Sequence, residues 1–119
     1  MKNPVLWFEV VGKEGGKLQR FYKDVFGWEI SGADGDESYG LVAASDGGIG
    51  GGVGQSQEGD GHVTFFIEVD DPSAYLKKVE KAGGETMVPP TEVPNYNLTF
   101  AYFKDPAGHT IGLSKGVAR

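Results

Sequence analysis

Pro4 to Val11 reads PVLWFEVV, and His62 to Val69 reads HVTFFIEV. Both runs are rich in aromatic and β-branched residues, the composition of strands. Trp7-Phe8-Glu9-Val10 lies over Thr64-Phe65-Phe66-Ile67. The residues after each run match as well. After the first, Gly12 to Gly16 breaks the chain, and Leu18, Phe21, Tyr22, Val25 and Phe26 recur at i, i+3, i+4, i+7 and i+8. That spacing predicts an amphipathic helix with its apolar stripe on a core, stopped by Gly27. After the second, Asp71-Pro72 reads as an N-cap with proline at the first helical position. Tyr75, Leu76, Val79 and Ala82 then supply a helical apolar face, ended by Gly83-Gly84.

Three further strands come after each helix. In the first half they are Trp28 to Ser31, Ser38 to Ala44 and a glycine-laden Ile49 to Val53, with turns at Gly32 to Glu37 and Ser45 to Gly48. In the second half they are Glu85 to Val88, Leu98 to Phe103 and His109 to Ser114, with a loop from Pro89 to Asn97 and a turn at Asp105 to Gly108. The polar stretch Gln55 to Gly61 (QSQEGDG) is the natural linker. The order is βαβββ twice, and a matched order of elements makes a duplication credible where short letter matches alone would not. The expected fold is therefore α+β: two βαβββ modules forming a cupped mixed sheet around a cleft. Residues 1–119 make one domain, with module 1 at about 1–54, the linker at 55–61 and module 2 at about 62–119.

At 119 residues the chain is too short for two independent cores. A net charge of -6 and the lack of a basic stripe argue against nucleic acid as a partner. No apolar run approaches the roughly 20 residues that span a bilayer, and the first residues lack a signal-peptide core. With no cysteine, disulfides, thiolate nucleophiles and cysteine-based zinc sites are excluded. The expectation is a cytoplasmic protein with no membrane partner. The run GGIGGGVG (Gly47 to Gly54) opens no helix and carries no Gly-Lys-Ser/Thr, so it reads as close backbone approach in a crowded strand rather than a phosphate loop.

A four-stranded sheet with one helix covers only one face, and two copies can share the other as a concavity. Alternation assigns the side chains. The apolar sets, Leu6, Phe8 and Val10 with Val63, Phe65, Ile67 and Val69, belong under the helices. The mixed sets, Val5, Trp7 and Glu9 with His62, Thr64, Phe66 and Glu68, belong on the cleft side.

Phe21-Tyr22-Lys23-Asp24-Val25-Phe26-Gly27-Trp28 resembles a helix-end FYxxxFGW motif, and Phe103-Lys104-Asp105-Pro106-Ala107-Gly108-His109 with Ile111-Gly112-Leu113 looks like FxDPxGNxxGL. With Val69-Asp70-Asp71-Pro72 and Gly83-Gly84, these stretches are similar to the vicinal oxygen chelate superfamily, the glyoxalase, bleomycin-resistance and extradiol-dioxygenase group. The resemblance implies paired βαβββ modules around a small-molecule site, and a chain that commonly forms a homodimer. Metal-using members take His and Glu ligands from the first and last strands of each module. Carried over, those positions fall on Trp7, approximately Gly52, Thr64 and Gly112. Indole has no lone pair to donate, glycine has no side chain, and a neutral hydroxyl is a poor ligand for a divalent ion. The resemblance thus argues against a metal, and no cofactor is expected.

Two functions stay open. The first is a small-molecule binding protein that sequesters a planar or aromatic compound. Trp7, Phe66, Phe100 and Tyr102 would give it surface, Thr64, Glu9 and Glu68 polar contacts, and Tyr96 a lid. The second is a glyoxalase-type lyase or isomerase, with a divalent metal held atypically by His62 and Glu9 or Glu68, or with Glu9 as a metal-free base. A buried Glu9 would need water, a ligand, or a neighbouring Lys or Tyr to offset its desolvation. His62 otherwise reads as a partly exposed residue at a strand start, and His109 as a local hydrogen-bonding group in its turn.

Overall fold

The computed structural model describes residues 2–33, 36–57 and 59–116, the side chains of residues 33, 36 and 37 excepted. The elements run β1 (Val5–Gly12), α1 (Gly15–Phe26), β2 (Ile30–Ala33), β3 (Asp36–Val42), β4 (Gly50–Gln55), β5 (His62–Glu68), α2 (Pro72–Lys81), β6 (Glu85–Val93), β7 (Leu98–Lys104) and β8 (Thr110–Lys115). The fold is α+β, βαβββ repeated. Contacts divide the chain into two compact units. Trp7–Val63 makes one, and residues 64–116 with residues 2–6 make the other.

In the first unit the strand order is β2-β3-β4-β1, with β1 parallel to β4 and the other pairs antiparallel. The second repeats this as β6-β7-β8-β5, with β5 parallel to β8. The duplication extends to register. Glu9 pairs with Gly52 across β1 and β4, and Phe66 pairs with Gly112 across β5 and β8.

The second unit holds the described core cluster: Val69, Leu76, Ala101 and Leu113, with Ile67, Tyr75 and Phe103 packed on it. Asp71 caps α2 as its sequence implies, its carboxylate accepting from the Ala74 N–H at 3.2 Å. In the first unit, Gln55 fastens α1 to β4. Its Oε1 accepts from the Gly15 N–H at 2.7 Å, and its Nε2 donates to the Lys13 carbonyl. Gln55 therefore belongs to β4 rather than to the linker. Of the remaining linker, residue 58 lies outside the described residues.

Several expectations need correction. The segment from Pro89, expected as loop, continues β6 to Val93, with register breaks between Thr86 and Val88 and between Val88 and Thr91. Two prolines are tolerated there because β6 is the outer strand of its unit and Pro89 and Pro90 fall within the register break between Val88 and Thr91, away from the ladder pairs on either side. Gly32 and Ala33 fall inside β2 and Asp36 and Glu37 inside β3, so the Gly32 to Glu37 turn is narrower than expected; its residues 34 and 35 lie outside the described residues. Trp28 precedes β2 and stacks on Tyr22 at 5.1 Å. The apolar stripe of α1 is not buried as a whole, since Phe21, Val25 and Phe26 are each more than half exposed. Leu18 of the stripe does meet the strands, beside Gly12, and so do Gly15 and Gln19 from outside it, Gln19 donating to the Val53 carbonyl. On β5, Ile67 packs as expected, whereas Val63 is 76% exposed.

A Cβ added at Gly112 would sit 2.3 Å from the Phe66 ring. Gly112→Ala is therefore expected to lower stability by about 1–3 kcal/mol through overpacking. Asp71→Ala should cost about 1 kcal/mol through loss of the cap. Denaturant titration of both variants checks the values and their order.

Candidate functional site

β1 carries Trp7 and Glu9 on one face, in register with Gly50 and Gly52 of β4. Tyr39, opposite Gly54 on β3, extends its ring across Gly52, where an added Cβ would lie 2.1 Å from the ring carbon bearing the hydroxyl. The alternating glycines of β4 thus make room for an aromatic ring flat on the strand, the close approach that the glycine run implies.

That placement brings the Tyr39 hydroxyl to Glu9. The Trp7 indole N–H donates to the Tyr39 oxygen at 3.1 Å, and the Tyr39 O–H donates to Glu9 Oε1 at 2.9 Å. The other carboxylate oxygen, Oε2, lies 2.7 Å from His62 Nε2. Glu9 is 7% exposed by side chain and the imidazole 29%. Trp7, Glu9, Tyr39 and His62 all belong to the first unit. The carboxylate is thereby hydrogen-bonded on both oxygens, as a buried ion requires. Burial first, and then the adjacent Glu9 charge, raises the Tyr39 hydroxyl far above the ordinary phenol range; the Trp7 N–H pulls it the other way.

Sequence reasoning selected Trp7 and Glu9, and it considered His62 beside Glu9. It expected a Tyr or Lys near a buried Glu9 without identifying Tyr39. The available signal was the alternation Gly50, Gly52, Gly54, which marks a strand face open to a ring from its neighbour.

In the second unit, cross-strand register places the other candidates on one face of β5, β8 and β7. Phe66, Gly112 and Tyr102 form one rung, and Glu68, Ser114 and Phe100 the next. Phe66 and Tyr102 lie 5.4 Å apart and Phe100 and Tyr102 5.8 Å, tilted and edge-on respectively. Glu68 is buried, and its Oε1 accepts from the Gly116 N–H at 3.2 Å. Thr64 donates its hydroxyl to the Thr110 carbonyl at 2.6 Å. Tyr96 stands in the turn after β6 and is 47% exposed. His109 stays in its turn: the Asp105 carboxylate accepts from the backbone N–H groups of His109 and Ala107 and lies 3.0 Å from His109 Nδ1. These bonds, led by the His109 backbone N–H, hold the Asp105 carboxyl below its usual range.

The four positions that the family resemblance marks as metal-ligand sites carry no carboxylate and no imidazole. Trp7 presents an indole N–H that donates to Tyr39, Gly52 and Gly112 lie under the Tyr39 and Phe66 rings, and Thr64 presents a neutral hydroxyl that donates to the Thr110 carbonyl. Among the described residues, no group of three or more His, Asp or Glu side chains could hold a metal ion.

A family model for the glyoxalase/bleomycin resistance protein/dioxygenase superfamily matches residues 5–113. The chain belongs to that superfamily. Solved structures of similar fold include a superfamily member from Vibrio splendidus 12B01, 17% identical, with TM-score 0.67, covering 95% of this chain and 98% of that one. A Mn(II)-bound glyoxalase from Novosphingobium aromaticivorans is 19% identical, with TM-score 0.66, over 98% of this chain and 40% of that one. A methylmalonyl-CoA epimerase from Mycobacterium tuberculosis is 12% identical, with TM-score 0.65, over 96% of this chain and 88% of that one. Comparison with curated protein sequences finds no match. Among the described residues, no helix is long and apolar enough to cross a membrane.

Replacing the Tyr39 hydroxyl tests the network in this superfamily member. Tyr39→Phe should lose about 1.5–3 kcal/mol near neutral pH, the worth of a hydrogen bond to a charged group. The folded state holds the Tyr39 proton more tightly than the unfolded chain. Its contribution is therefore complete below the ordinary phenol value of 10.0 and is lost as pH rises beyond it. The stability gap between wild type and Tyr39→Phe should accordingly narrow in strong alkali, as measured by denaturant unfolding across the pH series.

Proposed function

We propose that this chain is a metal-independent, small-molecule binding member of its superfamily that sequesters a planar or aromatic compound. The reading is carried by the four positions that the family resemblance marks as ion-ligand sites. One is an indole, one a hydroxyl bonded to a carbonyl, and two are glycines under aromatic rings. What stands there offers aromatic surface rather than lone pairs. Each unit by itself carries rings suited to a flat ligand, Trp7 beside Tyr39 in one and Phe66, Phe100 and Tyr102 in the other, each stacked pair contributing about 0.5–1.5 kcal/mol beyond burial. Thr64, Glu68 and Tyr96 complete the proposed contacts. The reading includes a homodimer, and the net charge of -6 supports a role without nucleic acid.

Metal analysis of purified protein, with thermal-shift titrations in nickel, zinc and manganese, tests this directly. The expected outcome is no stoichiometric metal and no rise in melting temperature. An ion that binds only the folded state at 100 times its Kd would add about 2.7 kcal/mol and be plainly visible. Stoichiometric metal with such a rise would overturn the proposal in favour of a lyase or isomerase. A screen of planar aromatic compounds should then give a stabilising ligand whose effect Trp7→Ala abolishes.

A further inference from the structure

The apolar stripe of α1 has one flank that faces solvent. Phe21 is 53% exposed, and Val25, one turn on, is 57% exposed. The Phe21 ring stands edge-on against Tyr22 at 5.1 Å, and Tyr22 stacks in turn on Trp28. A ring held in this way has little freedom to lose when something packs on it. Two exposed charges border the flank. Lys17 and Asp24 are seven residues apart on the helix, about two turns, so they lie on the same side of it. Each stands at the end that suits it least. Lys17 is in the first turn, where the macrodipole favours an anion, and Asp24 is in the last, where it favours a cation. Within the chain, the Lys17 ammonium has the exposed Glu14 carboxylate at 3.9 Å, a contact of little worth.

We propose that this flank of α1 is the surface on which two copies of the chain pair, helix against helix and antiparallel. The proposal rests on the homodimer included in the proposed function and gives it a location. A twofold axis at Phe21 sets that ring against its counterpart and lays the Lys17 stem of one copy over Val25 of the other. The same axis brings each Lys17 ammonium to an Asp24 carboxylate, twice in the pair, and such flanking charges set partner and orientation. The misplaced charges of one helix thus meet the ends of the other that favour them. The occupant is a second copy because the flank is complementary to itself in charge under that axis, as an isologous interface requires. Two half-exposed side chains supply far less than the roughly 800 Å² per partner of a stable complex, so the dimer is expected to be weak and reversible.

Sedimentation equilibrium of the full chain over a concentration series tests this, with Phe21→Ser, Lys17→Glu, Asp24→Lys and the double charge variant. Wild type should show a monomer–dimer equilibrium that weakens as salt is raised. Phe21→Ser should raise the dimer Kd about 100-fold or more, as loss of a central aromatic does. Lys17→Glu and Asp24→Lys should each raise it about tenfold, and the double variant should return it to within about threefold of wild type. Each single reversal installs the sign that the helix dipole prefers, so weaker pairing there is not a weaker helix. Should Phe21→Ser fail to fold, the charge variants decide the matter. A dimer indifferent to all of these changes overturns the assignment of this flank and leaves the homodimer reading intact. A double variant no tighter than the singles overturns the antiparallel pairing. A chain monomeric at every concentration overturns the homodimer reading and this surface together. Flotation of that monomer with phosphatidylglycerol vesicles, lost in Phe21→Ser, would give the flank to a lipid surface instead.

Discussion

An ionised carboxylate withdrawn from water must recover in hydrogen bonds what it loses in hydration, and Glu9 sets that demand in the Trp7–Val63 unit. The chain meets it with groups from three elements besides β1. β3 supplies the Tyr39 hydroxyl, β5 begins with His62, and β4 supplies the absence of a side chain at Gly52 that lets the Tyr39 ring lie flat. Removing the glycine would displace the ring, and displacing the ring would break the Tyr39 hydrogen bond to Glu9 Oε1. The composition of β4 and the hydrogen bonding of a buried side chain are therefore one problem.

The two halves answer the same backbone geometry with different chemistry. Glu9 over Gly52 and Phe66 over Gly112 are equivalent pairs, each on the parallel junction of its unit. In the second unit the glycine receives the Phe66 ring directly, and the slot is apolar. In the first, the ring arrives from the neighbouring strand and a carboxylate occupies the equivalent position. The duplicated frame is thus kept while the side chains in it diverge, as expected where fold and chemistry are set by different residues.

The βαβββ repeat was legible because strand and helix periodicities differ and the punctuating residues, Asp71-Pro72 and Gly83-Gly84, are unambiguous. Alternation also put Trp7 with Glu9, and Phe66 with Glu68, on shared strand faces, and register pairs them with Gly50 and Gly52, and with Gly112 and Ser114. The extent of β6 was not legible, because whether prolines interrupt a strand depends on which side has a neighbour, which is a tertiary fact. The α1 stripe misled for a related reason. Period alone identifies an apolar face, not what covers it, and Gly15 and Gln19, which do meet the strands, carry no hydrophobic signal. Tyr39 escaped identification because its reach to Glu9 crosses a strand, a relation that local sequence does not encode.

The outer position of β6 has a consequence beyond its length. A bare strand edge is a template on which another chain can add and propagate, and natural sheets blunt such edges. Pro89 and Pro90 lie in mid-strand there, flanked by exposed Thr91 and Glu92. Two missing donors and the nearby register breaks leave any incoming strand without a continuous ladder to copy. The same prolines that obscured the strand in the sequence guard the folded protein against fibrillar growth from that border.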